Sequence, residues 1–218
     1  DLGLFAGAAV FIALGLTVVP FHGDEATYIA MSRDYDRLVH DRDSRELRWR
    51  NPPLDPEMQF LRVQDGSLTP MAIGLARDVA GLDAAQLNLP WHWTVLPGSD
   101  RSQWTLNLDE ARMPSAQLLR VARVPAVIFT ALAAGVLFLI GRLLSGNRAA
   151  AWIGVVFFVT TPPVLINGPR AMQEGAMLCC TAPVILVALR AIRSRDHGSG
   201  ARLAWLAALV GADRIAEA

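Results

Sequence analysis

The stretch LGLFAGAAVFIALGLTVVPF, residues 2–21, carries no charged side chain and runs directly into His22-Gly23-Asp24-Glu25. A helix needs about 20 such residues to cross the ~30 Å hydrocarbon layer of a bilayer. Three further runs of similar length, nearly free of charge, occupy residues 124–141, 149–166 and 175–192. A fifth stretch, residues 201–218, meets Asp213 and Arg214 too early to span and reads as the truncated start of another helix. A soluble bundle with buried helices is the alternative, but four such runs in 218 residues are rare outside membranes. The expected fold class is therefore all-α integral membrane, with spans at 1–21, 124–141, 149–166 and 175–192.

The first run lacks an initiator Met, a basic leading segment and a small-x-small cleavage site before Asp24, so it reads as a span rather than a removed signal peptide. The sequence opens within one span and stops within another, which predicts a piece of a longer polypeptide, inactive by itself.

Composition agrees with this class. Hydrophobic residues make up 53% and charged residues 18%, with a mean hydropathy of +0.33, against about 45–50% and 25% in soluble domains. Twenty arginines balance twenty acids, so no net field attracts nucleic acid, and no nucleic-acid partner is expected. Cys179 and Cys180 are adjacent within an apolar run; they exclude a disulfide scaffold and a zinc site, and read as small helix residues. No P-loop, dinucleotide fingerprint, Gly-x-Ser-x-Gly or His-Glu-x-x-His occurs.

Short-loop arginines set the orientation. Arg142 and Arg148 lie in one connection, and Arg190, Arg193, Arg195 and Arg202 in another, whereas hairpin 167–174 has only Arg170. By the positive-inside rule the N-terminus is cytoplasmic, and both loop 22–123 and the Arg170 hairpin are extracytoplasmic. In that large loop, Tyr28, Met31, Tyr35, Leu38 and Val39 recur at helical spacing, predicting an amphipathic helix of about four turns after Asp24. A second covers residues 69–82, with Thr69 at its N-cap and Pro70 at its first helical position. Residues 51–56, Asn-Pro-Pro-Leu-Asp-Pro, cannot be regular, and Trp91, Trp93 and Trp104 suit a membrane boundary. Two surface helices joined by irregular chain are expected to lie along the membrane.

Asp24 and Glu25 stand at the outer rim of the first span. Two acids at a helix start complement its dipole, and a carboxylate there is also placed to accept a proton from an attacking hydroxyl. Arg170 and Glu174 lie one turn apart on the short hairpin of the same membrane side; they read either as a surface ion pair or, for Arg170, as a guanidinium that clamps phosphate. Asp34-Tyr35-Asp36 and Asp41-Arg42-Asp43 resemble metal-holding pairs but alternate with arginines on an expected solvated helix face. Arg120 and Arg123, at the outer end of the second span, are expected to snorkel to lipid headgroups, the alternative being a share in binding an anionic substrate.

Several stretches, taken in order, resemble the start of a GT-C-fold, phospholipid-carrier-dependent glycosyltransferase of the protein mannosyltransferase and aminoarabinose transferase type. These are residues 20–28, Pro-Phe-His-Gly-Asp-Glu-Ala-Thr-Tyr; residues 123–144, beginning Arg-Val-Pro; Thr161-Pro162-Pro163; and Arg170-Ala171-Met172-Gln173-Glu174-Gly175. The resemblance spans residues 2–192. It implies a polytopic GT-C-like arrangement with a large first extracytoplasmic loop, in a bacterial plasma membrane. It also implies transfer of a sugar from a polyprenyl-phosphate donor, itself a membrane lipid, to an extracytoplasmic acceptor, with inversion. On this likeness Asp24 is the base, Glu25 its motif partner, and Arg170, Glu174 and Tyr28 bind substrate; a divalent cation is used by some relatives and not by others. One departure is plain: where the family often has His- or Lys-Pro-Pro, this chain reads Asp65-Gly66-Ser67-Leu68-Thr69-Pro70, which removes a basic phosphate contact. The alternative from another class is a non-catalytic membrane assembly or transport subunit. The near absence of charge within the spans disfavours an ion path.

Overall fold

Residues 2–94 and 102–193 are described by a computed structural model, and every regular element among them is helical. Helix α1 (Leu2–Val18) realises the first apolar run but stops before Pro20. The chain then turns by 101° into α2 (Gly23–Met31) and α3 (Arg33–Val39). The long loop continues with α4 (Pro56–Asp65), α5 (Leu68–Val79), a 3₁₀ turn at Ala84–Gln86 and α6 (Gln103–Asp109). Helices α7 (Ala116–Ser145), α8 (Arg148–Thr160), α9 (Pro162–Asn167) and α10 (Glu174–Arg193) complete the described chain. The segment expected to begin a fifth span, residues 201–218, lies outside the described residues.

Two helices, α7 and α10, are long and apolar enough to cross a membrane, which is consistent with a membrane location. The 30 residues of α7 extend about 45 Å at 1.5 Å per residue. It begins eight residues before the apolar run because Ser115 accepts a hydrogen bond from Leu118 N, and Leu118 and Ala122 already bury against the loop. The other two expected spans are interrupted. The first turns sharply after α1, and the third breaks at Thr161, which takes an extended backbone ahead of Pro162; a residue before proline is driven out of the helical region.

The surface helices also differ from expectation. The four-turn helix divides at Ser32 into α2 and α3. The second starts at Leu68 with Ser67, not Thr69, preceding it, so Pro70 falls within its first turn. Residues 51–55 are irregular, with a cis Asn51–Pro52 bond, but Pro56 opens α4, a helix the proline-rich reading had not separated. Asp55 caps it by accepting from Met58 N at 3.0 Å.

Helix α7 is the hub, packing on α1, α5, α8 and α10. Two cores meet along it. One joins Ile12, Val127, Ala134, Phe138, Ala151 and Val155 of α1, α7 and α8, with the rings of Phe5, Phe138 and Trp152 4.6–5.2 Å apart. The other joins Tyr28, Ile29, Ile73, Leu118, Ala122 and Met172, where the long loop packs on the start of α7 and the segment before α10. Gly146 ends α7 at φ +66°, and Asn147 caps α8, so the two helices fold back through a tight turn. They cross where Gly141 meets Ala151: a Cβ on residue 141 would stand 2.9 Å from Ala151 Cα. Gly141→Val is therefore expected to destabilise the protein by about 1–3 kcal/mol, read as a lower midpoint in denaturing-detergent titration; an unchanged midpoint would mean that the crossing can open freely.

The expected solvated face of residues 24–39 is instead a buried seam. Arg77 of α5, fully buried, donates to Ser32 Oγ at 3.0 Å, to the Ser32 and Leu82 carbonyls at 3.2 Å, and to the Asp36 carboxylate. Arg62 of α4 forks onto Asp34, whose side chain is 6% exposed. Each acid of that run thus meets an arginine from another helix. These are structural pairs, while Asp43 stays at the surface with Arg45.

Candidate functional site

The corner between α1 and α2 is organised by Glu25. His22 is the N-cap of α2: its Nδ1 accepts from Asp24 N at 3.3 Å, and its own N–H donates to Glu25 Oε2 at 3.0 Å. This reciprocal arrangement is a capping box, and it turns Glu25 inward. There Glu25 accepts from Arg123 Nε at 2.7 Å and Nη2 at 2.8 Å, and from Ala171 N at 2.9 Å. Four donors therefore saturate a carboxylate with no solvent exposure. Arg123 in turn donates to the carbonyls of Leu16, Val19 and Pro20 at 3.0, 2.9 and 3.4 Å, supplying a cation where α1 ends and its carbonyls lack partners. The expectation that Arg123 reaches the headgroups is corrected: it is 2% exposed and holds three chain segments together.

Asp24 points the other way. It lines a cavity of about 280 Å³ with Tyr28, Asp65, Trp91, Trp93 and Glu174 among its walls. Its side chain is 40% exposed, with His22 Nδ1 3.4 Å from Oδ2. Trp91 reaches this wall because residue 23 is glycine: a Cβ there would lie 2.5 Å from the indole. Thr27 Oγ1 accepts from Trp91 N at 3.3 Å, Asn88 donates to Ala26 O at 2.9 Å, and the Trp91 ring packs on Phe21 and Trp104. The tryptophans expected at a membrane boundary thus include one, Trp91, that is buried as a wall of the cavity.

Of the expected site residues, Asp24, Tyr28 and Glu174 are brought together. Arg170 and Glu174 do not pair: Arg170 donates to Asn167 Oδ1 at 3.1 Å and to Pro20 O at 3.4 Å. Its Nε, and Glu174 Oε2, are buried without a hydrogen-bond partner. Neither Arg170 nor Glu25 lines the cavity. Asp65 does, a site residue that no sequence motif marks; Gly66 at φ +70° ends α4 just after it.

The Asp65 carboxyl is pushed above the usual carboxylate range, first by burial and then by the charge of Asp24, against the opposing hydrogen bond from Tyr28 OH at 3.5 Å. Burial and the nearby carboxylates likewise raise the Tyr28 phenol, which stays protonated and donates. A raised native value means that the folded protein holds the Asp65 proton more tightly than the unfolded chain. That contribution is full below the unfolded value and is lost as pH rises through the folded one. Wild type is thus expected to lose stability relative to Asp65→Asn as pH climbs above about 4, in unfolding titrations across pH. Parallel profiles of the two proteins would show that Asp65 ionises unhindered.

Among the described residues no three His, Cys, Asp or Glu side chains converge as a metal-binding group. The fold and cavity define a helical protein with two helices able to cross a membrane and an acidic, aromatic-walled hollow beside the corner between α1 and α2. Comparison with protein-family models, curated proteins and solved structures gives no match to this chain.

Proposed function

We propose that this chain belongs to a membrane glycosyltransferase that moves a sugar from a polyprenyl-phosphate donor to an extracytoplasmic acceptor, with Asp24 as the general base. The observation that carries the reading is the division of labour between two adjacent acids: Glu25 has every acceptor position filled, whereas Asp24 is half-exposed in a cavity. In this reading the spans form a GT-C-like bundle, and the corner between α1 and α2 and the segment before α10 meet at the extracytoplasmic face.

A hydroxyl is a weak nucleophile until its proton is taken. The acceptor oxygen attacks the anomeric carbon as Asp24 removes its proton. The bond from that carbon to the phosphate oxygen breaks, its electron pair stays on the lipid phosphate, and configuration inverts. Tyr28, Asp65 and Glu174 offer hydrogen-bonding groups to sugar or acceptor hydroxyls. Arg170, beside Pro20 with an unpartnered Nε, supplies charge for the departing phosphate.

The test is release of polyprenyl phosphate in membranes from cells expressing the intact gene, given donors that carry a hexose or a pentose. Release that depends on the gene supports the reading; no gene-dependent release from either donor overturns it.

A further inference from the structure

A groove of about 470 Å³ separates α5 from α7, walled by Leu75, Val79, Val121, Val124, Ile128 and Phe129 with alanines and Pro125 between them. Every residue lining it is apolar. Helix α5 is two-faced: Ile73, Gly74 and Arg77 are buried against α2 and α3, while Leu75 is 53% and Val79 82% exposed. Such a face needs a non-aqueous partner.

Two observations identify it. The α7 wall continues along the candidate span: Val124, Ile128 and Leu132, four residues apart, are all exposed, so the groove is the outward continuation of a stripe that faces hydrocarbon when α7 crosses the membrane. One turn beyond Val124 on that stripe stands Arg120. It is exposed, its Nε donates only to the Ala116 carbonyl of its own helix at 3.1 Å, and among the described residues it forms no ion pair. An apolar channel with an unneutralised guanidinium one helical turn beyond its Val124 wall suits a lipid with a hydrocarbon chain and an anionic phosphodiester head.

We propose that the groove between α5 and α7 binds an anionic phospholipid, with an acyl chain between the helices and its phosphate on Arg120. The proposal rests on the membrane location and is independent of the transferase reading.

The test uses the full chain in vesicles of phosphatidylcholine and phosphatidylglycerol. In a Cys179→Ala, Cys180→Ala background, a spin label is placed at Val79→Cys. Dissolved oxygen is expected to relax the label several-fold more strongly than a water-soluble nickel chelate. Equal or greater access by nickel would put the groove in water, and exclusion of both would mean that protein covers it; either overturns the proposal. In a second arm, lipid retained on the purified protein is counted by native mass spectrometry. Arg120→Gln is expected to lower phosphatidylglycerol retention several-fold, with Arg142→Gln, at the other end of α7, unchanged. Equal retention in the Arg120 variant overturns the phosphate contact.

Discussion

In the proposed transferase, Asp24→Asn is expected to lower sugar transfer by about 10²–10⁴-fold, the usual contribution of a positioned base, while leaving folding intact. The amide fills the same volume, and its side chain is 40% exposed, so no buried partner is stranded. The structural work at this corner falls to Glu25, and α2 keeps its capping box when residue 24 changes. The informative measurement pairs turnover with an unfolding midpoint. Undiminished transfer in a well-folded variant would remove Asp24 from the mechanism.

Arg123→Leu is expected to act in the opposite way, through the fold. It strands the Glu25 carboxylate, which is fully buried, and frees the carbonyls of Leu16, Val19 and Pro20 at the end of α1. Removing one partner of a buried pair costs about 3–5 kcal/mol, which is a large share of the ~5–15 kcal/mol that holds a typical domain. A double variant, Glu25→Gln with Arg123→Leu, takes away the charge as well as its partner and is expected to recover part of the loss. The readout is the midpoint in denaturing detergent for both single variants and the double. Additive losses would show that the two side chains do not act as a pair.

These two residues also mark what could be read ahead of the structure. The apolar core of α7 and nearly all of α10 were legible because hydrophobic run length is a local property. The break before Pro162 is local as well, since the residue ahead of a proline is driven out of the helical region. The place of Asp24 just past the corner that ends α1 followed from its distance to the end of the first run. What stayed hidden depends on partners remote in sequence. Nothing near Arg123 announces an acid 98 residues away, so a rim arginine looked like a headgroup anchor. The Asp34–Asp36 run looked solvated because periodicity cannot reveal that Arg62 and Arg77 arrive from two other helices. Asp65 had no motif of its own; its place beside Asp24 depends on how α4 and α5 pack against α2. The split at Ser32 reflects the same packing, with Arg77 drawing on both the hydroxyl and the carbonyl of that residue.

The Glu25 junction carries a consequence for biosynthesis. Its donors lie on residues 22, 123 and 171, the last of them 146 positions downstream. At a translation rate of ~5–20 residues per second, roughly 7–30 s separate emergence of the acid from emergence of its final donor. Until then a carboxylate destined for complete enclosure lacks one of its four donors, and the hollow beside it lacks the wall contributed by Met172 and Glu174. The nascent chain thus carries an open elbow that only its later helices can latch.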